Sequence, residues 1–438
     1  MAMAFCAVQS ALGLMTMLPF WAYMAPTIFA EVKPERVEED AIGLANSSVY
    51  GLAVALRTRV VPNALICFVL ELNRRLAMNR RKLLKTVTLA AASGAISAPA
   101  IAQSAPALRW RLTTSFPKSL DTLYGACEMF SKAIADLSEQ KFQISVFGPG
   151  EIVPAFQVFD AVANNTVEMG NSADYYYIGK DLAFAFGTAV PFGLNTRQMN
   201  AWLAYGGGLD LLNELHRPYN IYGIPFGNTT AQMGGWFRKE IKTLDDLRGL
   251  KFRVGGVAGQ VLSRLGVVPQ QIPPGDIYPA LEKGTIDAAE WIGPYDDEKL
   301  GFLKVAPYYY YPGWWEGCAN GFLYINTAKW DELPKTYQHM VTIAAGQVAA
   351  DLTAKYDARN AQAIKRLVAA GAQLRPFSTE ILDASFKATN ELFAEISAKN
   401  EKFKKLNDSM TAFRNEQYQW HQVCEATYDN YMIRRIRS

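Results

Sequence analysis

The chain has 438 residues, of which half are hydrophobic, and it carries a formal net charge of +3. This length allows two lobes with sizeable cores, and the small net charge excludes an extended basic surface for nucleic acid. Three histidines and five scattered cysteines form no C-x-x-C pair and no zinc-ligand spacing. Cys6 and Cys67 lie in the first 77 residues, so an odd number of cysteines remains, which argues against a disulfide framework.

Residues 78–103 have the composition of an export signal. The segment MNRRKLLKTVTLAAASGAISAPAIAQ combines a basic start, an apolar stretch and an A-x-A site at 100–102. The arginine pair at 80–81 resembles the twin-arginine type of signal. A transmembrane anchor is the alternative, but the apolar stretch is too short and contains Pro99. We therefore expect a cleaved signal peptide (78–102) and a periplasmic protein.

The 77 residues before this signal do not look like a domain. Residues 1–30 are uncharged and long enough to span a membrane, but Pro19 and Pro26 interrupt them. The segments 25–34 and 38–56 resemble a piece of the aldehyde dehydrogenase family that lacks the catalytic cysteine and the cofactor loop. We interpret 1–77 as a remnant or an over-extended start.

From residue 108 onward, strand patterns alternate with helix patterns, which is typical of an α/β fold with a largely parallel sheet. The predicted strands lie at 108–113, 142–146, around Met169, and at 221–226, 250–254, 286–292 and 320–326. The predicted helices lie at 121–137, before Asn164, and at 197–215, before Leu265 and 276–284. From Leu333 the chain reads as nearly all helix.

Common catalytic motifs do not occur in the sequence. There is no G-x-S-x-G, no P-loop and no H-E-x-x-H. The segment RVGGVAGQ (253–260) lacks the G-x-G-x-x-G spacing and the later acid of a dinucleotide loop. We therefore expect a binding protein and not an enzyme.

Arg253 is the first candidate ligand-binding residue. It ends a short strand just before a glycine turn, and ligands of open α/β sheets bind beyond the carboxyl ends of the strands. Its guanidinium matches a carboxylate in two-point geometry. A structural ion pair with an acid such as Asp245 is the alternative.

Glu290 is the second candidate, because it follows small and apolar residues and a buried carboxylate needs a cation, a donor or a proton. A metal ion would satisfy it, with Glu316, Gln232 and backbone carbonyls as further oxygen ligands. A direct pair with Arg253, without a metal, would satisfy it equally well. The residues alone leave both alternatives open.

Aromatic rings cluster near these positions. They are Tyr175, Tyr176, Tyr177, Trp291, Trp314 and Trp315. Such rings are more often core than site, although a tyrosine hydroxyl can also bind an oxo or hydroxyl group. Asn228 can donate to the same oxygen or simply hold its turn.

A series of motifs resembles the extracytoplasmic solute receptors of TRAP transporters, most closely the branch for 2-oxo acids, which is also labelled for mannitol and chloroaromatic compounds. The motifs are SFPKSLDT, GEIVPAFQ, GNTTAQMGGWFRKEI, LKFRVGG, VVPQQIPPGDIYPALEKGTIDAAEWIGPYDDEKLGF and APYYYYPGWWEG. The resemblance covers 107–435. It implies a two-lobed, type II periplasmic-binding-protein-like α/β fold with a hinge and long C-terminal helices, and a homodimer.

The resemblance also implies roles for individual residues. Arg253 would hold the substrate carboxylate together with a metal ion, Na⁺ or Ca²⁺. The ion ligands would be Gln232, Glu290, the carbonyl of Trp291, and Glu316. The substrate-binding residues would further include Phe116, Tyr177, Asn228, and the side chains of Trp291 and Gln232. The segment 318–321 departs from relatives, which leaves the identity of the substrate open.

We therefore predict a periplasmic receptor that captures a small 2-oxo or 2-hydroxy monocarboxylate, such as pyruvate or lactate, and delivers it to TRAP membrane subunits. A sensory binding protein and an aldehyde dehydrogenase-related enzyme are the alternatives. The predicted lobes are 103–228 with 317–365, and 229–316, followed by a helical region at 366–438. There, one helix face packs on its own lobe or on a second copy. Its residues are Met410, Phe413, Trp420, Cys424 and Tyr431.

Overall fold

The computed structural model describes residues 106–436, so the predicted signal peptide and the aldehyde dehydrogenase-like segments lie outside the described residues. The strands are β1 (Leu108–Thr114), β2 (Phe142–Phe147), β3 (Met169–Ser172), β4 (Ile221–Asn228), β5 (Gly235–Phe237), β6 (Lys251–Arg253), β7 (Val268–Gln270), β8 (Ala288–Ala289), β9 (Tyr308–Tyr311), β10 (Asn320–Asn326) and β11 (Gln373–Pro376).

The helices fill the intervals between these strands and most of the C-terminal region. They are α1 (Leu123–Leu137), α2 (Val158–Ala163), α3 (Ala185–Thr188), α4 (Thr196–Tyr205), α5 (Gly208–His216), α6 (Ala258–Arg264), α7 (Ile277–Glu282), α8 (Pro294–Leu300), α9 (Thr327–Glu332), α10 (Lys335–Ala369), α11 (Thr379–Ser397), α12 (Glu401–Val423) and α13 (Glu425–Ile436).

The first sheet has the strand order β2-β1-β3-β10-β4. β1 is parallel to β2 and β3, whereas β10 runs antiparallel to β3 and β4. Along β1, Trp110 and Leu112 are buried between more exposed arginines, as strand alternation requires. Helix α1 packs on this sheet through apolar residues such as Phe130 and Ile134, which are fully buried.

The second sheet has the order β11-β9-β5-β8-β6-β7. β6 is parallel to β7 and β8, and β5 is antiparallel to β8 and β9. The predicted strand at 286–292 is too long, because only Ala288–Ala289 pairs as a strand. The chain turns away afterwards, since the Ile292 N–H donates to Asp297 Oδ1 (3.3 Å) in α8 and not to a neighbouring strand.

Two segments join the sheets side by side. The chain leaves the first sheet after Asn228 and returns to it at Asn320, and these two residues are partners in the β4–β10 ladder. Beyond them, the Thr229 N–H donates to the carbonyl of Ala319 (2.9 Å) and the Gln232 N–H to that of Glu316 (3.4 Å). The predicted α/β fold with two lobes is confirmed, and the joining segments lie next to each other.

Helix α10 spans both halves. Its 35 residues correspond to about 52 Å, and it packs against β4, α1 and α8. The chain beyond it is not all helical, because β11 pairs with β9 at the edge of the second sheet. The predicted helix at 197–215 is in fact two helices, α4 and α5, since Gly206–Gly207 separates them and Gly207 has a φ of +78°.

The predicted apolar face of the last helices divides between two environments. Met410 is buried and Phe413 packs against the core. By contrast, Trp420 is 60% exposed and Tyr431 is 56% exposed. Only the first part of this face, with Met410 and Phe413, therefore packs on the protein's own core.

Candidate functional site

Arg253 and Glu290 come together because their strands are parallel neighbours. In the β6–β8 ladder Arg253 is paired with Ala289, so Glu290 follows at the same sheet edge. Arg253 Nη1 donates to the carbonyl and to Oε1 of Glu290, and both side chains are fully buried. The Gly255 N–H also donates to Glu290 Oε1 (3.2 Å). The alternative partner Asp245 instead pairs with Arg248 on the surface.

This buried ion pair is only partly satisfied. Arg253 Nη2 and Glu290 Oε2 are buried and have no hydrogen-bond partner. Glu316, which is 1% exposed, has no partner on either carboxylate oxygen, and Gln232 has none on Oε1. Buried polar atoms are normally paired, and leaving them unpaired costs free energy. Four side chains at one place therefore present unused donors and acceptors.

The balance of charge at this place favours a cation. One guanidinium faces two carboxyl groups, those of Glu290 and Glu316, so one negative charge would lack a partner if both were ionised. Burial raises the pKa of Glu316 well above its usual value and the nearby Glu290 carboxylate raises it further, whereas Arg253 and the Tyr175 hydroxyl act to lower it. Without a cation, Glu316 therefore tends to keep its proton. A positive charge beside Glu316 would reverse this cost, which makes the cluster suited to a cation.

The donor set fits a hard cation. Carboxylate and amide oxygens, here from Glu316, Glu290 and Gln232, are the ligands of Na⁺- and Ca²⁺-type sites. Among residues 106–436, no group of three or more His, Cys, Asp or Glu side chains is placed to hold a metal ion. An ion here would therefore be held by two carboxylates together with amide and backbone oxygens. This is the kind of ligand set predicted from the sequence.

A narrow cavity, with about 30 Å³ of space for the centres of water-sized atoms, lies beside this charged cluster. Its walls come from the first sheet, from the segment that follows β8, from the joining segments, and from α1, α3 and α10. The lining residues are Phe116, Leu123, Ala126, Asn171, Ala173, Tyr175, Tyr176, Thr188, Phe226, Gly227, Thr229, Gln232, Trp291, Ile292, Ala319, Asn320, Gly321 and Leu352. The segment flagged as divergent in the sequence, 318–321, thus contributes three lining residues.

The charged cluster borders the cavity through a few shared residues. Gln232 and Trp291 line the cavity, and the Arg253 guanidinium carbon lies 5.3 Å from the centre of the Trp291 ring. Phe116 is on the other side of Trp291, with ring centroids 6.4 Å apart. Arg253, Glu290 and Glu316 themselves do not line it.

The glycine turn after β6 makes room for Tyr175. A Cβ on Gly255 or Gly256 would lie 2.8 or 2.7 Å from the Tyr175 ring, and Gly256 has a φ of +64°. Tyr175 stacks on Tyr176 with ring centroids 5.0 Å apart, and both rings line the cavity. Only glycine allows this close approach between the turn and a ring from the other half of the molecule.

The structure places Tyr177 elsewhere than predicted. Its hydroxyl donates to Ser172 Oγ (3.0 Å) and accepts from the Phe159 N–H (3.1 Å), and its ring packs against Phe159 in the core. The adjacent Tyr175 and Tyr176 line the cavity instead. The three tyrosines lie in a tight 3₁₀ turn. The sequence could therefore not show which rings point to the cavity and which to the core.

Asn228, Trp314 and Trp315 also lie outside the lining. The Asn228 side chain accepts from the Thr230 N–H (2.9 Å), while its Nδ2 is buried without a partner. Trp314 stacks on Phe192 (5.2 Å), and Trp315 packs against Phe252 (5.4 Å). Of the predicted side chains, Phe116, Gln232 and Trp291 are the ones that reach the cavity.

A second buried hydrogen-bond network holds the 3₁₀ turn that contains Tyr175, Tyr176 and Tyr177. The sequence analysis did not predict this network. Asp174 accepts from the Tyr324 hydroxyl and is 2.8 Å from His216 Nε2. It immediately precedes Tyr175, whose N–H donates to Thr188 Oγ1 (3.3 Å). These partners lie far apart in the chain, and no local motif links them.

Two α/β lobes with a cavity between them, beside buried polar atoms of Arg253, Glu290 and Glu316 that lack partners, are the arrangement expected of a solute-binding protein. Residues 114–400 match the family described as bacterial extracellular solute-binding protein, family 7 (DctP). The chain belongs to this family. Its members are transporter receptors and not enzymes, so the aldehyde dehydrogenase alternative is wrong for the described part of the chain. No helix in residues 106–436 is long and apolar enough to cross a membrane.

Three similar proteins illustrate the family. The monocarboxylate 2-oxoacid-binding periplasmic protein of Nostoc sp. is 46% identical over 360 residues, which is 81% of this chain and 99% of that protein. A TRAP transporter solute binding protein from Bordetella bronchiseptica, a mixed occupancy dimer with copurified calcium and picolinate, is 52% identical (TM-score 0.74; 76% of this chain, 98% of that chain). One from Pseudoalteromonas atlantica with bound sodium and pyruvate is 36% identical (TM-score 0.72; 74% and 98%).

Proposed function

We propose that this protein is the periplasmic receptor of a TRAP transporter and binds a small monocarboxylate 2-oxo acid together with a cation. The observation that carries the proposal is the buried Glu316 carboxylate. It has no partner on either oxygen, and Gln232 Oε1 nearby also lacks one. A monocarboxylate ligand cannot offset the charge of an ionised Glu316, whereas a cation can and would favour that ionised form.

Each residue of the cluster then has a role. Arg253 keeps its pair with Glu290 through Nη1 and offers Nη2 to the ligand carboxylate. Glu316, Gln232, Glu290 and the carbonyl of Trp291 would hold the cation, which when bound offsets their negative charge. The hydrogen bond from Arg253 Nη2 to the ligand carboxylate is charged and contributes on the order of 1.5–3 kcal/mol. The aromatic rings that line the cavity keep water away from this bond.

The ligands of the relatives share one chemical feature. Pyruvate has a keto oxygen on the carbon next to its carboxylate, and picolinate has a ring nitrogen at the same position. Such molecules present two donor atoms to one cation. A 2-hydroxy acid such as lactate has the same arrangement. The class we propose for this chain is therefore a monocarboxylate with a second donor on the adjacent carbon, foremost a 2-oxo acid.

A screen of ligand and cation together tests this function. Thermal unfolding of the purified protein is measured with pyruvate, lactate, picolinate, propanoate and succinate, each with and without Na⁺ or Ca²⁺. We expect a rise in the melting temperature with pyruvate plus a cation and little with propanoate, which lacks the second donor. A rise with succinate but none with any 2-oxo acid would contradict the proposal.

A second copy of the chain fits the exposed end of the C-terminal helices. Apolar side chains there are at least half exposed, namely Trp420, Val423, Tyr428, Tyr431, Ile433 and Ile436. Large exposed apolar patches commonly mark protein–protein contacts, and the Bordetella bronchiseptica relative is described as a dimer. We infer that these exposed side chains join two copies of the chain.

A further inference from the structure

Part of the cavity lining consists of apolar side chains. Leu123 and Ala126 come from α1, Phe226 from β4 and Leu352 from α10, and Ala173 completes this set. All five are buried. With the ligand carboxylate held by Arg253 beside Trp291, as proposed above, the rest of the ligand would extend into the cavity toward these side chains. We call them the apolar compartment.

Polar groups near this compartment are already engaged within the protein. Asn171 accepts from Thr114 Oγ1 (3.0 Å) and donates to the carbonyl of Phe322 (3.1 Å). Thr188 Oγ1 accepts from the backbone of Tyr175. Within the described part of the chain, no charged side chain lines the cavity. A second carboxylate on the ligand would therefore be buried without a partner, which is costly.

Leu352 enters the cavity lining by packing against a glycine of β4. It is 4% exposed, although it belongs to a helix that lies mostly outside the site. A Cβ on Gly227 would lie 2.5 Å from Leu352 Cδ2, and Gly227 has a φ of +134°. The glycine hence lets the leucine side chain press against the strand backbone and reach the cavity. No other residue type would fit at 227 without displacing Leu352.

We propose that Leu352, together with Ala126, sets the length of the ligand side chain, so that the protein selects 2-oxo acids with short, uncharged alkyl chains. This inference rests on the proposed function and deepens it. Shortening Leu352 opens the compartment, and enlarging Ala126 fills it. A hydrophobic pocket distinguishes ligands that differ by one methylene by roughly 10–200-fold, so changes of this size are measurable.

The test is the ratio of affinities for two ligands on the same protein. Calorimetry with saturating Na⁺ or Ca²⁺ compares pyruvate with 4-methyl-2-oxopentanoate. We expect Leu352→Ala to shift the ratio toward the longer acid by about tenfold or more, and Ala126→Leu to shift it toward pyruvate. Ile343→Ala, at a 67% exposed position of the same helix, should leave the ratio unchanged.

The outcomes separate this inference from the proposed function. If both variants bind pyruvate but keep the wild-type ratio, the assignment of Leu352 and Ala126 is overturned while the function stands. If the wild-type protein binds neither acid in the presence of a cation, the function itself fails. Because each ratio is taken within one protein, a loss of stability does not imitate the expected shift. Should Leu352→Ala fail to fold, an unchanged ratio in Ala126→Leu still overturns the inference.

Discussion

Arg253 and Glu290 form a buried ion pair that leaves one nitrogen and one oxygen unused. Nη1 donates to Glu290 Oε1, whereas Nη2 and Oε2 have no hydrogen-bond partner. The sequence left open whether Glu290 pairs directly with Arg253 or binds a metal, and this ion pair is the first of those alternatives. It leaves other buried atoms without hydrogen bonds, because both carboxylate oxygens of Glu316 have no partner. A direct ion pair and a cation site are therefore compatible here.

Removing the guanidinium is expected to weaken binding. Arg253→Ala deletes the donor to the ligand carboxylate, so the affinity for pyruvate should fall by more than about tenfold, as loss of a charged hydrogen bond implies. Isothermal titration calorimetry measures this. Arg248→Ala is the control, since Arg248 pairs with Asp245 on the surface. An affinity in Arg253→Ala equal to that of the control would refute the role of Arg253.

The stability of the ligand-free protein should depend on pH through Asp297. Burial raises the pKa of Asp297 to about 7, although hydrogen bonds from Tyr309, Trp236 and the Ile292 N–H act to lower it. Because the folded pKa lies above the unfolded value of about 3.9, the folded state binds more protons. Its contribution to stability is complete below about pH 4 and is lost as the pH rises to 7.

Chemical unfolding between pH 4.5 and 8 checks this sign. In the wild-type protein, the free energy of unfolding should fall as the pH rises. Asp297→Asn should make this slope shallower, by at most about 1.4 kcal/mol per pH unit. Asp245→Asn, at an exposed side chain, should keep the wild-type slope. A wild-type slope in Asp297→Asn would show that this carboxyl is already ionised at low pH.

A hydrogen-bonded contact between α8 and α1 should stabilise the fold. Thr122 Oγ1 donates to Asp296 (2.8 Å), and the Tyr356 hydroxyl of α10 donates to the same carboxylate (2.7 Å). Thr122→Val or Tyr356→Phe leaves a buried acceptor with one donor fewer, which costs roughly 1–3 kcal/mol. Urea unfolding measures the change. Tyr205→Phe, at a 94% exposed position, should cost nothing, and an equal effect there would contradict the assignment.

The exposed face of the C-terminal helices should hold two copies together. Trp420→Glu places a charge among apolar side chains that we expect to be buried in the dimer. Sedimentation should therefore show a dimer for the wild-type protein and a monomer for the variant. Ile343→Glu, at a 67% exposed position of α10, should remain dimeric. A wild-type protein that is monomeric at high micromolar concentration would contradict this prediction.

The sequence was sufficient for features that depend on local patterning. Alternation predicted β1 and β2, and the glycine turn after Arg253 placed that residue at a strand end. The pairing of Arg253 with Glu290 was one of two open alternatives, because which carboxylate faces a guanidinium depends on strand order. β6 and β8 are neighbours in the second sheet, a contact between residues 37 positions apart.

Other parts of the site depend on packing that no local pattern shows. Tyr177 was predicted to line the substrate, but a 3₁₀ turn directs Tyr175 and Tyr176 to the cavity and Tyr177 to the core. Leu352 lies in a helix of ordinary composition and reaches the cavity only because Gly227 has no side chain. The strand β11 was missed because it lies between two long helices and pairs only at a sheet edge.

The most direct test of the account is the dependence of pyruvate affinity on the cation, measured by calorimetry in wild-type protein and in Glu316→Gln. We expect removal of Na⁺ and Ca²⁺ to weaken wild-type binding by at least about tenfold, and Glu316→Gln to bind weakly with or without the cation. Glu332→Gln, whose carboxylate is 64% exposed, should behave as wild type. Tight wild-type binding of pyruvate after complete removal of both cations would contradict the claim that the buried acids hold an ion with the ligand.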